Sequence, residues 1–84
     1  MKTRRIPERK LIFDQSGLGA FAAQLKKIRH DRGFTQSQLA FESGISMSQI
    51  ARIETARINP TISTIFVLAR TMGVTLPELF NFQI

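Results

Sequence analysis

The feature that most constrains the fold lies between residues 35 and 49, where two helix-start signals flank a helix stop with almost no chain between them. Thr35-Gln36-Ser37-Gln38 has the form of a capping box. The threonine hydroxyl can accept the third amide of a new helix while the glutamine side chain reaches back to the cap. Gly44 follows Ser43 and can take positive φ, ending the helix without a Cβ clash. Ser46-Met47-Ser48-Gln49 then repeats the box. Two helices joined by so short a turn cross steeply, which needs a small residue where the backbones approach and a glycine at the reversal. Ala40 and Gly44 occupy those places.

The helix opened by the second box, expected over about Ser46 to Glu54, puts Ile50 and Ile53 on one face. Ile45 joins them from the turn, and Met47, Ser48, Ala51 and Arg52 turn mostly away. The isoleucines would bury the inner side and leave the outer side and the N-terminus free. A free helix N-terminus attracts phosphate through its unpaired amides and dipole, and Gln36, at the start of the preceding helix, can donate to a phosphate oxygen.

The flanking sequence is helical too. Leu18, Phe21, Ala22, Leu25 and Ile28 recur at spacings of three and four, an amphipathic stripe that ends near Arg32 and Gly33. Asn59-Pro60-Thr61 marks a loop and a new start, followed by the broad apolar face Ile62, Ile65, Phe66, Leu68, Ala69 and Met72, which stops at Gly73. Thr75 with Glu78 forms a third box, Pro77 is tolerated in a first turn, and Leu76 to Phe80 makes a last brief helix. No strand pattern appears. The expected fold class is therefore all-α with five helices.

Its 84 residues are expected to form one domain with one modest core, without room for a separate ligand-sensing domain. Residues 1–13 read as a basic N-terminal arm and residues 14–84 as the helical domain. Twelve Lys and Arg against six Asp and Glu give a formal charge of +6, which suggests a polyanionic partner. Most of that charge sits in the arm: residues 1–10 hold five basic side chains against one acidic, whereas residues 11–84 hold seven against five. Pro7 and the neighbouring charges interrupt any signal-peptide run, and no stretch has the ~20 apolar residues of a membrane span. No membrane association is expected, and the absence of cysteine gives no sign of an oxidising compartment, so the cytoplasm is the default.

The pattern Gln36, Ala40, Gly44, Ile50, Ile53-Glu54 resembles the Cro/CI phage-repressor type of helix-turn-helix, the XRE family. The resemblance continues through Asn59-Pro60-Thr61 and Gly73-Val74-Thr75-Leu76 to Glu78-Leu79-Phe80 and so covers roughly residues 18 to 80. It implies a lambda-repressor-like bundle whose third helix enters the major groove of double-stranded DNA, usually as a homodimer on a near-palindromic operator. It also implies that Arg29 pairs with Glu54 and fixes the reading helix to the scaffold.

Carried over by position, Gln36 would touch phosphate, Ser46, Met47, Ser48, Gln49, Ala51 and Arg52 would lie on the reading helix, and Arg57 and Asn59 would flank it in the following loop. An arginine in the groove pairs best with guanine, and Met47 and Ala51 would pack on a thymine methyl. The chain departs from the family in one place. Ala56 stands where a glycine is usual, and alanine at positive φ costs on the order of 1 kcal/mol.

Against these roles stand plainer ones: a solvated surface arginine for Arg52, a core plug for Met47, and a capping side chain for Gln49. Arg4 and Arg5 in the arm would follow phosphates or enter the minor groove, or else belong to a solubilising tail. Phe80, Phe82 and Ile84 read as a dimer surface or as core packing. His30 is the only histidine, and neither metal-ligand spacing nor a phosphate loop is present, so no enzyme, metal or cofactor is expected. The expected function is that of a transcriptional regulator, more often a repressor. The alternative is an antitoxin or other protein-interaction module whose protein partner, a toxin or a regulator, is primary and whose DNA contact is secondary.

Overall fold

Every helix begins on a side chain that accepts the amide three residues on: Asp14, Thr35, Ser46, Thr61 and Thr75. These caps satisfy amides that no helix can pair internally, and each fixes a boundary. In the computed structural model, which describes residues 12–84, the order is α1 (Gln15–Asp31), α2 (Gln36–Ser43), α3 (Met47–Glu54), α4 (Ile62–Met72) and α5 (Leu76–Leu79). No strand occurs among the described residues. The arm residues Arg4 and Arg5 lie outside them.

All five helices contribute to one core. Leu25 of α1, Leu39 of α2, Ile50 and Ile53 of α3, Leu68 of α4 and Leu79 of α5 are almost wholly buried, and each such side chain adds about 1.5–3 kcal/mol of apolar transfer free energy. The α1 stripe is buried at Phe21, Ala22, Leu25 and Ile28, and Leu18 is half-buried at its edge. Helix α4 is more apolar than the core requires. Its Ile65, Leu68, Ala69 and Met72 are buried, whereas Ile62 remains 59% exposed and Phe66 37%.

The turn from α2 to α3 depends on two small residues. Gly44 adopts φ 78°, and its amide returns to the carbonyl of Ala40 at 2.9 Å, which closes α2. Ala40 and Ile45 pack against the core on either side of the reversal.

The second and third capping boxes are only half formed, which corrects the expectation for them. At Thr35 both halves are present: the hydroxyl takes the Gln38 amide at 3.0 Å, and the Gln38 side chain takes the Thr35 amide at 2.9 Å. Ser46 takes the amide of Gln49, but the Gln49 side chain does not return. Thr75 takes the amide of Glu78, while the Glu78 carboxylate is drawn 3.0 Å from Arg32 instead. A charge-assisted bond to a guanidinium is stronger than a bond to a neutral amide, so the carboxylate goes to the arginine.

Candidate nucleic-acid interface

Helix α3 is strongly two-sided. Ile50 and Ile53 are buried, while Met47, Ser48 and Arg52 are exposed and Gln49 and Ala51 half-exposed. Met47 is 52% exposed, so it does not plug the core. Ser46 caps the helix from an exposed position, and the amides of Met47 and Ser48, the first two of the helix, have no intrahelical acceptor. Gln49, having no part in the cap through its side chain, presents its amide group beside those exposed residues. The outer side of α3 therefore offers a guanidinium, an amide, a hydroxyl and a thioether along one short rod.

The far end of the rod is fixed by a buried polar network. Arg29 and Glu54 are paired at 2.5 Å (Nε to Oε2) and 3.0 Å (Nη2 to Oε1), with side chains only 7% and 2% exposed. Arg29 Nη1 also donates to the Phe34 carbonyl at 2.8 Å, and Nη2 lies 3.3 Å from His30 Nε2. An arginine can only donate, so in this contact the histidine nitrogen stands as the acceptor. The Gln36 side chain donates to the same Glu54 carboxylate at 3.0 Å. Gln36 is thus tied to the network, with one amide hydrogen used on Glu54 and the other left to donate outward. One carboxylate at the end of α3 in this way fixes α1 through Arg29 and the start of α2 through Gln36. No buried side-chain polar atom among the described residues lacks a partner.

The loop after α3 is held in an unfavourable conformation. Ala56 takes φ 57°, the left-handed region, and is buried. The turn is closed by the Arg57 amide on the Arg52 carbonyl at 2.9 Å and supported by Gln15 Nε2 on the Ala56 carbonyl at 3.4 Å. Arg57 and Asn59 are both exposed in it. Asn59 Nδ2 also donates to the Ile12 carbonyl at 3.4 Å, which places the start of the described chain beside this loop.

A groove of about 560 Å³ adjoins this loop, with Ile12, Asn59 and Pro60 on its wall. Leu18 and Phe21 of α1, Ile62 and Ile65 of α4, and Phe80, Phe82 and Ile84 form the rest of its apolar lining, and no residue of α2 or α3 takes part. Phe80 stacks on Phe21 with ring centroids 5.4 Å apart, and Phe82 meets Phe21 edge-on at 6.2 Å. The C-terminal segment therefore packs on the body through its rings and is also exposed: Phe80 is 42% accessible and Ile84 82%.

Residues 25–79 match the helix-turn-helix family HTH_3. The chain belongs to the Cro/CI-type helix-turn-helix family. Within it, the chain is 41% identical over 51 residues to the immunity repressor protein of Bacillus phage phi105, a match covering 61% of this chain but only 35% of the repressor. The restriction-modification controller protein C.AhdI from Aeromonas hydrophila superposes with a TM-score of 0.72 at 32% identity, over 75% of this chain and 96% of the controller. The controller protein C.Esp1396I, solved as a tetramer with its 35 base-pair operator, gives a TM-score of 0.73 at 29% identity over 79% of this chain and 87% of that one. No helix among the described residues is long and apolar enough to cross a membrane.

Sequence reasoning passed over Gln15, Gln24 and Arg32, whose side chains bond to segments 41 to 54 residues away. Their local signal is that of ordinary solvated polar residues on a helix. The Asp14 cap of α1 was also missed, although an acidic residue three before Gly17 is a legible start signal.

Proposed function

We propose that this chain is a sequence-specific DNA-binding transcriptional regulator, acting as a repressor, that reads a near-palindromic operator as a homodimer through α3. The observation that carries the reading is the two-sidedness of α3: isoleucines buried beneath, and Met47, Ser48, Gln49 and Arg52 presented above. In the major groove Arg52 would pair with guanine O6 and N7, Gln49 with adenine, and Met47 and Ala51 with a thymine methyl. Gln36, Arg57 and Asn59 would touch phosphates on either side and set the register without reading sequence. The arm would add contacts through Arg4 and Arg5, and the bond from Asn59 to Ile12 favours this because it starts the arm next to the phosphate-contacting loop.

The homodimer is supported by the groove at Phe21, Phe80 and Phe82. A second copy closing over these rings, and not over Asn59 on the same groove wall, leaves α2 and α3 of both protomers free, since neither helix lines the groove. With no catalytic constellation called upon, repression would follow from occupancy of the operator alone. The test is selection of bound duplexes from a random pool, followed by affinity measurements on selected and scrambled duplexes across a salt series. A reader of sequence retains its preference as phosphate contacts weaken. Equal affinity for the two duplexes at every salt concentration defeats the reading.

A further inference from the structure

Helix α5 spans Leu76–Leu79, too short to hold itself together, because a first helical turn fixes several torsions for a single hydrogen bond. Its apolar hold is narrow, with Leu79 its one buried residue. Three polar bonds supply a clasp. Gln24 Nε2 donates to the Glu78 carbonyl at 2.9 Å, Arg32 Nη2 to the Glu78 carboxylate at 3.0 Å, and Arg32 Nη1 to the Gly73 carbonyl at 3.2 Å. Arg32 thereby joins the end of α1 to the left-handed C-cap of α4 and to the first turn of α5, and its charge complements the negative end of the α4 dipole.

Phe80 is the C-cap of α5, and Phe82 follows two residues later with its amide on the Phe80 carbonyl at 2.9 Å. Whatever tilts α5 therefore moves both rings against Phe21 and reshapes the groove that they line. We infer that Arg32 and Gln24 are positioning residues: they set the orientation of α5 and so the geometry of the face on which a second copy closes, and hence the separation of the two reading helices on DNA. This rests on the homodimer reading given above. The clasp lies at the surface, with the Arg32 and Glu78 side chains 40% and 46% exposed, so it adds little to the stability of the fold. Its effect on assembly is larger, because a two-fold contact contains every misplacement twice.

The experiment takes Arg32→Ala and Gln24→Ala, singly and together, in the full chain, with Arg32→Lys as a milder variant that keeps the charge but loses the rigid fork. Four quantities are read: the thermal midpoint, hydrogen exchange of the Leu79 and Phe80 amides, the monomer–dimer constant by sedimentation, and affinity for paired half-sites whose spacing is varied one base pair at a time. The expected result is a thermal midpoint close to the parent's, faster exchange confined to α5, a dimer weakened about tenfold in the double variant, and a broadened spacing optimum. Arg32→Lys falls between parent and alanine. Unchanged exchange together with an unchanged spacing optimum overturns the inference. A parent that stays monomeric and shows no spacing optimum overturns the homodimer reading and this inference with it. The exchange data distinguish that outcome from failure of the clasp itself, since they need no dimer.

Discussion

Removing Arg29 while leaving Glu54 in place tests whether the buried pair is a source of stability or a device of geometry. In the parent the Glu54 carboxylate receives two bonds from Arg29 and one from Gln36, and its side chain is 2% exposed. Arg29→Ala strands that charge with a single neutral donor and also deprives the Phe34 carbonyl of its partner. Breaking one side of a buried ion pair costs about 3–5 kcal/mol, against a total stability on the order of 4–12 kcal/mol for a domain of this size. The thermal midpoint should fall by roughly 15–30 °C. The paired change Arg29→Met with Glu54→Leu removes both charges at similar volume, and its stability should return to within about 2 kcal/mol of the parent. Operator affinity should not return with it. Gln36 loses its acceptor and the end of α3 its fixed point, so binding should remain weaker by roughly tenfold. Thermal and urea unfolding followed by circular dichroism give the first quantity, and fluorescence anisotropy with a selected duplex gives the second. A loss below about 1 kcal/mol in Arg29→Ala refutes the burial argument, and a paired variant that binds as tightly as the parent refutes the geometric one.

Four further outcomes follow from the same structure. Ala56→Val should destabilise by about 2 kcal/mol or more, because a β-branched residue is poorly tolerated at positive φ, while Ala56→Gly should stay within about 0.5 kcal/mol of the parent as relief of strain offsets the loss of a buried methyl. Equal effects of the two in urea denaturation argue against strain at that residue. Thr35→Ala should cost about 1 kcal/mol and Ser46→Ala less, since only the first box has both halves formed; the reverse order counts against the role of the returning glutamine. Arg52→Ala should leave the unfolding midpoint unchanged and relax discrimination at one base pair by roughly 1–3 kcal/mol, which a selection on the variant reads directly. Deleting residues 1–10 should weaken binding to every duplex and flatten the salt dependence by about one logarithmic unit for each phosphate that the arm neutralises, and an unchanged slope removes the arm from the interface.

The positions of the helices were legible because the signals that start and stop them are local. A hydroxyl at Thr35, Ser46, Thr61 or Thr75 and a glycine at Gly44 or Gly73 act within one turn of their own position, so neighbours in sequence suffice to place them. The destinations of long polar side chains were less legible, for a corresponding reason. Glu78 is a reasonable capping partner for Thr75 when residues 75 to 78 are considered alone, and it is diverted only because the fold brings Arg32 to it. Gln36 is expected from sequence as a donor to phosphate, and what only the crossing of α2 and α3 reveals is that one of its two amide hydrogens goes to Glu54 at 3.0 Å.

That pattern explains why the reading surface is the least ambiguous part of the site and the groove the most. What α3 exposes is fixed by what it buries, and Ile50 and Ile53 leave its rotation little freedom. Phe80 and Phe82 depend on α5, which has one buried leucine and a surface clasp to hold it, so a small change in the clasp alters their presentation without disturbing the core. A chain whose α3 is firmly packed and whose C-terminal segment is lightly tethered would, on the proposed reading, set the spacing between half-sites through Arg32 and Gln24, far in sequence from α3. Exchanging those two residues between relatives with different operator spacing should then shift the spacing optimum and leave the base preferences within each half-site as they were.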